Sequence, residues 1–112
     1  MTEATITFDL APEDFDCIID MAGYGVGYWA SAMESTDTGC HFTDAGGDRK
    51  KFFVTPAMVE KAALDLCVKA PLNDYYMQAI RQLVIKGDAS DVGSDIADAI
   101  IQQACFGQVI YG

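Results

Sequence analysis

Three prolines divide this chain, and each restricts what can surround it, because the ring fixes φ and leaves no N–H to donate. Pro12 is followed by Glu13 and Asp14, and Pro56 is preceded by Thr55. Both patterns mark a helix start: proline suits the first helical position, acids suit the positive pole and threonine suits the cap. Pro71 stands where a helix begun at Pro56 has to end. The chain therefore predicts one helix from Pro12 to about Met21 and another over 56–69. In the first, Phe15, Ile18, Ile19 and Ala22 recur at helical spacing, which leaves Glu13, Asp16 and Asp20 along the opposite side. In the second, Val59, Ala63, Leu66 and Cys67 make the apolar stripe.

Glycine supplies the remaining punctuation. Gly23 reads as the stop of the first helix. Beyond it, GYGVGYWASAM alternates Tyr24, Val26, Tyr28 and Ala30 with Gly25, Gly27, Trp29 and Ser31, which predicts a strand. Turns over 34–39 and 44–48 flank a strand at 40–43, and a further strand covers 51–55. Asn73 and Asp74 cap a third helix, with Tyr76, Ile80, Leu83 and Val84 inward and Gly87 as its stop. Ser94 and Asp95 cap a fourth, carrying Ile96, Ile100, Ile101 and Ala104 and stopped by Gly107. Thr5–Phe8 and Gln108–Tyr111 are short β-prone ends, the latter expected to pair with the glycine and aromatic strand. This order predicts a single α+β domain over residues 1–112, an antiparallel sheet of about four to five short strands with about four helices packed on it.

Charge narrows the function. Seventeen acids oppose seven bases, for a net charge of −10 and a pI near 4.1. Residues 1–48 hold ten acids and no Lys or Arg, all seven bases lie between Arg49 and Lys86, and residues 87–112 hold four acids and no base. Such a chain is a poor ligand for phosphates and anionic membranes and a good one for a basic protein surface. Apolar runs are a few residues long, too short to span a bilayer, and the amino-terminal stretch has no signal-peptide pattern, so the cytoplasm is the expected compartment. Cys17, Cys40, Cys67 and Cys105 are too widely spaced for a Cys-x-x-Cys site, and free thiols that mostly fill the core are expected.

Motif by motif, chemistry is excluded. Gly23, Gly25 and Gly27 form G-x-G-x-G, but a dinucleotide fingerprint needs a strand before and a helix after, and here the order is reversed. The preferred reading is framework, glycines in a strand admitting a close neighbour. The alternative is an exposed Tyr24, Tyr28, Trp29 cluster that touches a partner. A calcium loop begun at Asp88 would put Val92 and Ala99 at ligand positions. Cys40 and His41, adjacent in a strand, point to opposite faces and cannot act as nucleophile and base together.

GYGVGYWA at 23–30 and IIQQACFGQVIYG at 100–112, with the acidic Asp95 and Asp98 segment between, resemble small proteins encoded by bacteriophages and prophages. The similarity spans nearly the whole chain and marks a lineage rather than a chemistry, so no catalytic residue carries over. It implies a mobile-element origin, where small acidic proteins often inhibit a host defence or nucleic-acid-handling complex. Charge and resemblance together lead us to expect a non-enzymatic inhibitor, similar in class to anti-CRISPR proteins, whose carboxylates occupy a basic nucleic-acid-binding surface. The residues expected there are Glu13, Asp16, Asp20, Glu34, Asp37, Asp44 and Asp48, with Tyr24, Tyr28 and Trp29 beside them. No cofactor, metal, membrane or direct nucleic-acid contact is expected, and a homodimer is compatible. The competing reading is a small-ligand or nucleotide-binding protein that uses the glycine and aromatic strand as a pocket.

Overall fold

The structure is a computed structural model that describes residues 8–46 and 49–111, with Ala32 described by its backbone alone. Seven elements follow one another: α1 (Pro12–Gly25), β1 (Ala30–Thr36), β2 (Gly39–Asp44), β3 (Lys51–Val54), α2 (Pro56–Lys69), α3 (Asp74–Lys86) and α4 (Ser94–Phe106). The architecture is α+β. Among the described residues the sheet has three antiparallel strands in the order β1-β2-β3. The β-prone stretch expected at Thr5–Phe8 falls almost wholly outside the described residues, and Phe8 itself is in no strand.

The helix boundaries show which local signals govern. For α2, Thr55 accepts a hydrogen bond from the Met58 N–H (3.3 Å), and the helix ends at Ala70 in the left-handed conformation, one residue before Pro71. The carboxamide oxygen of Asn73 accepts from the Tyr76 N–H to open α3, and Gly87, at φ 65°, closes it. Both agree with the sequence. At α4 the cap moves: Gly93 occupies it without a side-chain bond, and Ser94 is already helical.

Two expected elements are corrected. Gly23 does not stop α1, which runs on through Tyr24 to Gly25, and Val26–Trp29 turn the chain before β1 begins at Ala30. Ala22, Val26 and Trp29, all buried, keep helical spacing across this region. The period-two pattern of residues 24–28 is thus a false signal. Gln108–Tyr111 form no strand and do not pair with residues 23–29. The hydrogen bonds of that tail go to a side chain instead.

The core lies between the helices and one face of the sheet. Eight consecutive residues of α4, Ile96 to Gln103, are buried, so this helix is enclosed on every side rather than along one stripe. It packs on α1 and α2 and touches β3. Register sets Phe42 opposite both Met33 and Phe52, and Cys40 opposite Val54, on the core face. The other face carries Glu34, His41 and Phe53 in one cross-strand row, with the His41 and Phe53 rings 4.6 Å apart.

Candidate functional site

Two groups of residues meet where the end of α1 approaches the start of α4. The first is the exposed side of α1. Glu13, Asp16 and Asp20 are all exposed, while Phe15, Ile18, Ile19 and Ala22 are buried, so the amphipathic reading of this helix holds. Tyr24 follows Asp20 by four residues, continues the same side of the helix and is 83% exposed. The last turn of α1 contains no basic residue.

The second group is a polar network in the protein interior. Asp98, buried in α4, has no cation among its hydrogen-bond partners and is held by three donors. The Trp29 indole N–H donates to Oδ1 (2.6 Å), the Tyr28 hydroxyl donates to Oδ2 (2.6 Å), and the Gln102 amide donates to Oδ1 (3.0 Å). Gln102, fully buried one turn later, shares its amide hydrogens with the Tyr28 hydroxyl oxygen (3.1 Å) and the Tyr111 carbonyl (3.3 Å). Its carbonyl oxygen accepts the backbone N–H groups of Ile110 (2.9 Å) and Tyr111 (2.8 Å). One glutamine side chain therefore does for Ile110 and Tyr111 what a ladder does for a strand, supplying the acceptor for both backbone N–H groups.

Aromatic rings complete the arrangement. Tyr111 stacks on Trp29, centroids 5.8 Å apart and nearly parallel, while Phe106 meets Trp29 edge-on at 5.4 Å. The Tyr111 hydroxyl donates to Asp44, at 3.1 and 3.3 Å from its two oxygens. Grooves of about 610 and 550 Å³ run along the two sides of the tail, the larger lined by Lys50, Phe52, Phe106 and Tyr111 among others.

The expected interface residues therefore separate. Glu13, Asp16 and Asp20 share one exposed helix side. Glu34 is exposed, but on β1 rather than in a turn, and Asp37 is exposed between β1 and β2. Asp44, expected on a turn, ends β2 and is half-buried, its carboxylate engaged by Tyr111 and by the Gly46 N–H (2.9 Å). Asp48 lies outside the described residues. Tyr24 and Tyr28 are exposed, at 83% and 58%. Trp29, at 2%, is core and cannot be a contact residue. Asp98, Gln102 and Tyr111 carry the network and were not among the expected residues. A signal for the first two exists in the sequence: an acid and an amide four residues apart, the acid set in a run from Ile96 to Ile101 that is otherwise Ile and Ala.

Titration follows this geometry. Burial of its hydroxyl end, then the hydrogen bond to Asp98 and that carboxylate's charge, push the Tyr28 phenol up to about 12. Tyr76 is raised by burial and then by the charges of Asp95 and Asp98. Cys105 is pushed up to about 12 by burial, with Asp44 and Cys40 adding to it, and burial also raises Cys40. These thiols are poor nucleophiles at neutral pH. Cys17, by contrast, is exposed rather than core filling. A phenol raised on folding contributes stability below its unfolded value near 10 and loses that contribution as pH rises toward 12. We expect an alkaline absorbance titration of the Tyr28→Phe variant to lack a late-ionising tyrosine that the native protein shows. Loss of an early-ionising one instead would contradict the hydrogen bond to Asp98.

No helix of the described residues is long and apolar enough to cross a membrane. No family model, curated protein or solved structure matches the chain.

Proposed function

We propose that this protein acts by binding, and that the acidic side of α1 docks on a basic, nucleic-acid-binding surface of another protein. The observation that carries the reading is the placement of Glu13, Asp16 and Asp20, all exposed and opposite a fully buried stripe. They span about 10 Å of helix axis, comparable with two or three backbone phosphates. The residues around them in sequence add acids and no base from position 1 to 48. Carboxylates so arranged compete with a nucleic acid for the same Lys and Arg side chains. The resemblance to phage-encoded proteins makes a host defence complex, in host cytoplasm, the proposed target, and inhibition without catalysis the proposed outcome.

The small-ligand alternative has lost the strand on which it rested, because Tyr24 and Gly25 end a helix and Trp29 is enclosed. The reading is tested by reversing all three charges. The variant carrying Glu13→Lys, Asp16→Lys and Asp20→Lys should keep native helix content by circular dichroism, since none of these side chains is buried. It should lose the basic protein that the native chain retains from a bacterial lysate, because like charges across an interface cost several kcal/mol. The native complex should also dissociate steeply with salt. A folded triple variant that holds the same protein at ordinary salt would remove α1 from the interface.

A further inference from the structure

Residues 108–111 turn back onto α4 without joining any ladder: among the described residues, no backbone–backbone hydrogen bond reaches them. Side chains hold them instead. The Gln102 carbonyl oxygen accepts the Ile110 and Tyr111 N–H groups (2.9 and 2.8 Å), and its amide donates to the Tyr111 carbonyl (3.3 Å). At the far end the Tyr111 ring lies against Trp29 and Phe106, with centroids 5.8 Å from each, and its hydroxyl donates to Asp44. At the near end the Gln103 amide donates to the Gly107 carbonyl (3.0 Å), so the chain is fixed as far as Gly107 and first free to turn at the exposed Gln108.

Lifting this segment breaks side-chain contacts only, and each freed polar group has somewhere to go. The Ile110 and Tyr111 N–H groups and the Gln102 carbonyl oxygen meet water. The Gln102 amide has two hydrogens and three acceptors within 3.3 Å, so when the Tyr111 carbonyl leaves, Asp98 and the Tyr28 hydroxyl take both. No polar group is stranded in the interior, which is what allows a local opening well below the cost of unfolding. Gln108, Ile110 and Tyr111 line both grooves, so the segment is the wall between them and can move without displacing another element. The opposing contribution is concentrated in Tyr111, whose ring would leave two aromatic neighbours. Its hydroxyl adds a bond to a carboxylate fixed at the end of β2, where the Asp44 N–H donates to the Lys50 carbonyl (2.8 Å).

We propose that residues 108–111 are a strap that lifts from α4 as one unit, pivoting at Gln108 and latched by Tyr111, and that its opening joins the two grooves into one lined by Trp29, Gln102 and Phe106. The helices and the sheet are the same in both states. Closed, the strap covers the Trp29 ring and the Gln102 carbonyl oxygen. Open, it turns an aromatic face and an unpaired acceptor to solvent at one place.

Hydrogen exchange of the full native chain, followed residue by residue by NMR, tests the strap. The Ile110 and Tyr111 amides should exchange together, about tenfold or more faster than the Ile100 and Ile101 amides inside α4, and at a rate that low urea leaves unchanged. The α4 amides should accelerate with urea, since they need global unfolding. Tyr111→Phe keeps the ring and removes the hydroxyl bond to Asp44, so the two tail amides should then exchange about fivefold faster. Equal rates and equal urea dependence for tail and α4 amides would mean that the tail leaves only with the whole fold, which overturns the strap. Tail amides that exchange as fast as those of a free peptide overturn it as well, because no closed state is then held. Native exchange in the Tyr111→Phe protein removes the hydroxyl as the latch. The comparison of tail with α4 needs no variant, so it decides even if Tyr111→Phe does not fold.

Discussion

Asp98→Ala is expected to lower stability by about 2–3 kcal/mol, and to bring the thermal midpoint down by roughly 8 °C or more. The substitution deletes the acceptor for the Trp29 indole N–H and one of three acceptors around the Gln102 amide, both donors being out of contact with water. A buried donor left without a partner costs about 1–3 kcal/mol, and here the Trp29 N–H is stranded while the Gln102 amide keeps the Tyr28 hydroxyl oxygen and the Tyr111 carbonyl. The Tyr28 hydroxyl, nearer the surface, can turn to solvent and adds less. Asp98→Asn should recover part of the loss, since its carbonyl oxygen still accepts from Trp29. Thermal unfolding of the three proteins side by side checks the order native, Asn, Ala. An alanine variant within about 0.5 kcal/mol of native would mean that the network contributes only geometry.

The second large effect separates two glycines that the sequence presents as equivalents. Gly25→Ala should destabilise by about 1–3 kcal/mol, because the added methyl overlaps a backbone carbonyl of α4, and backbone cannot rotate aside as a side chain can. Gly27→Ala should leave the midpoint unchanged, since open space surrounds the position where its Cβ would stand. The framework role expected of both belongs to Gly25 alone, and it is exercised between two helices rather than within a sheet. A midpoint drop for Gly27→Ala together with a neutral Gly25→Ala would contradict the contact between α1 and α4.

Legibility of the fold tracked how local each cause was. α2 could be read from end to end because its start and stop reside in Thr55, Pro56 and Pro71 themselves. The end of α1 was misread because Tyr24 and Tyr28, four residues apart, satisfy both a strand period and a helix period. The decision came from Ala22, Val26 and Trp29 packing inward, which is a tertiary event. Glycine at 23 and 25 costs the helix roughly 1 kcal/mol each relative to alanine, and at Gly25 the close approach of the Ser94 backbone requires it. The tail was misread for a related reason. Gln108–Tyr111 have strand-like composition, and nothing local reveals that a glutamine on α4 answers their N–H groups. At the candidate site the α1 carboxylates were legible from periodicity. The fixing of Tyr28 was not, since it depends on Asp98, seventy residues away in the chain.

The enclosure of Trp29 has an optical consequence. The chain contains one tryptophan, and its indole sits against Phe42, Phe106 and Tyr111 with its N–H on a carboxylate. Indole emission shifts to longer wavelength when water reaches the ring, so a single native fluorophore reports the joining of the β1 approach, α4 and the tail. Tyr111, stacked on it with centroids 5.8 Å apart, feeds excitation to it at this range only while the tail is in place. The protein thus carries its own spectroscopic gauge of assembly, read at one wavelength and without any attached dye.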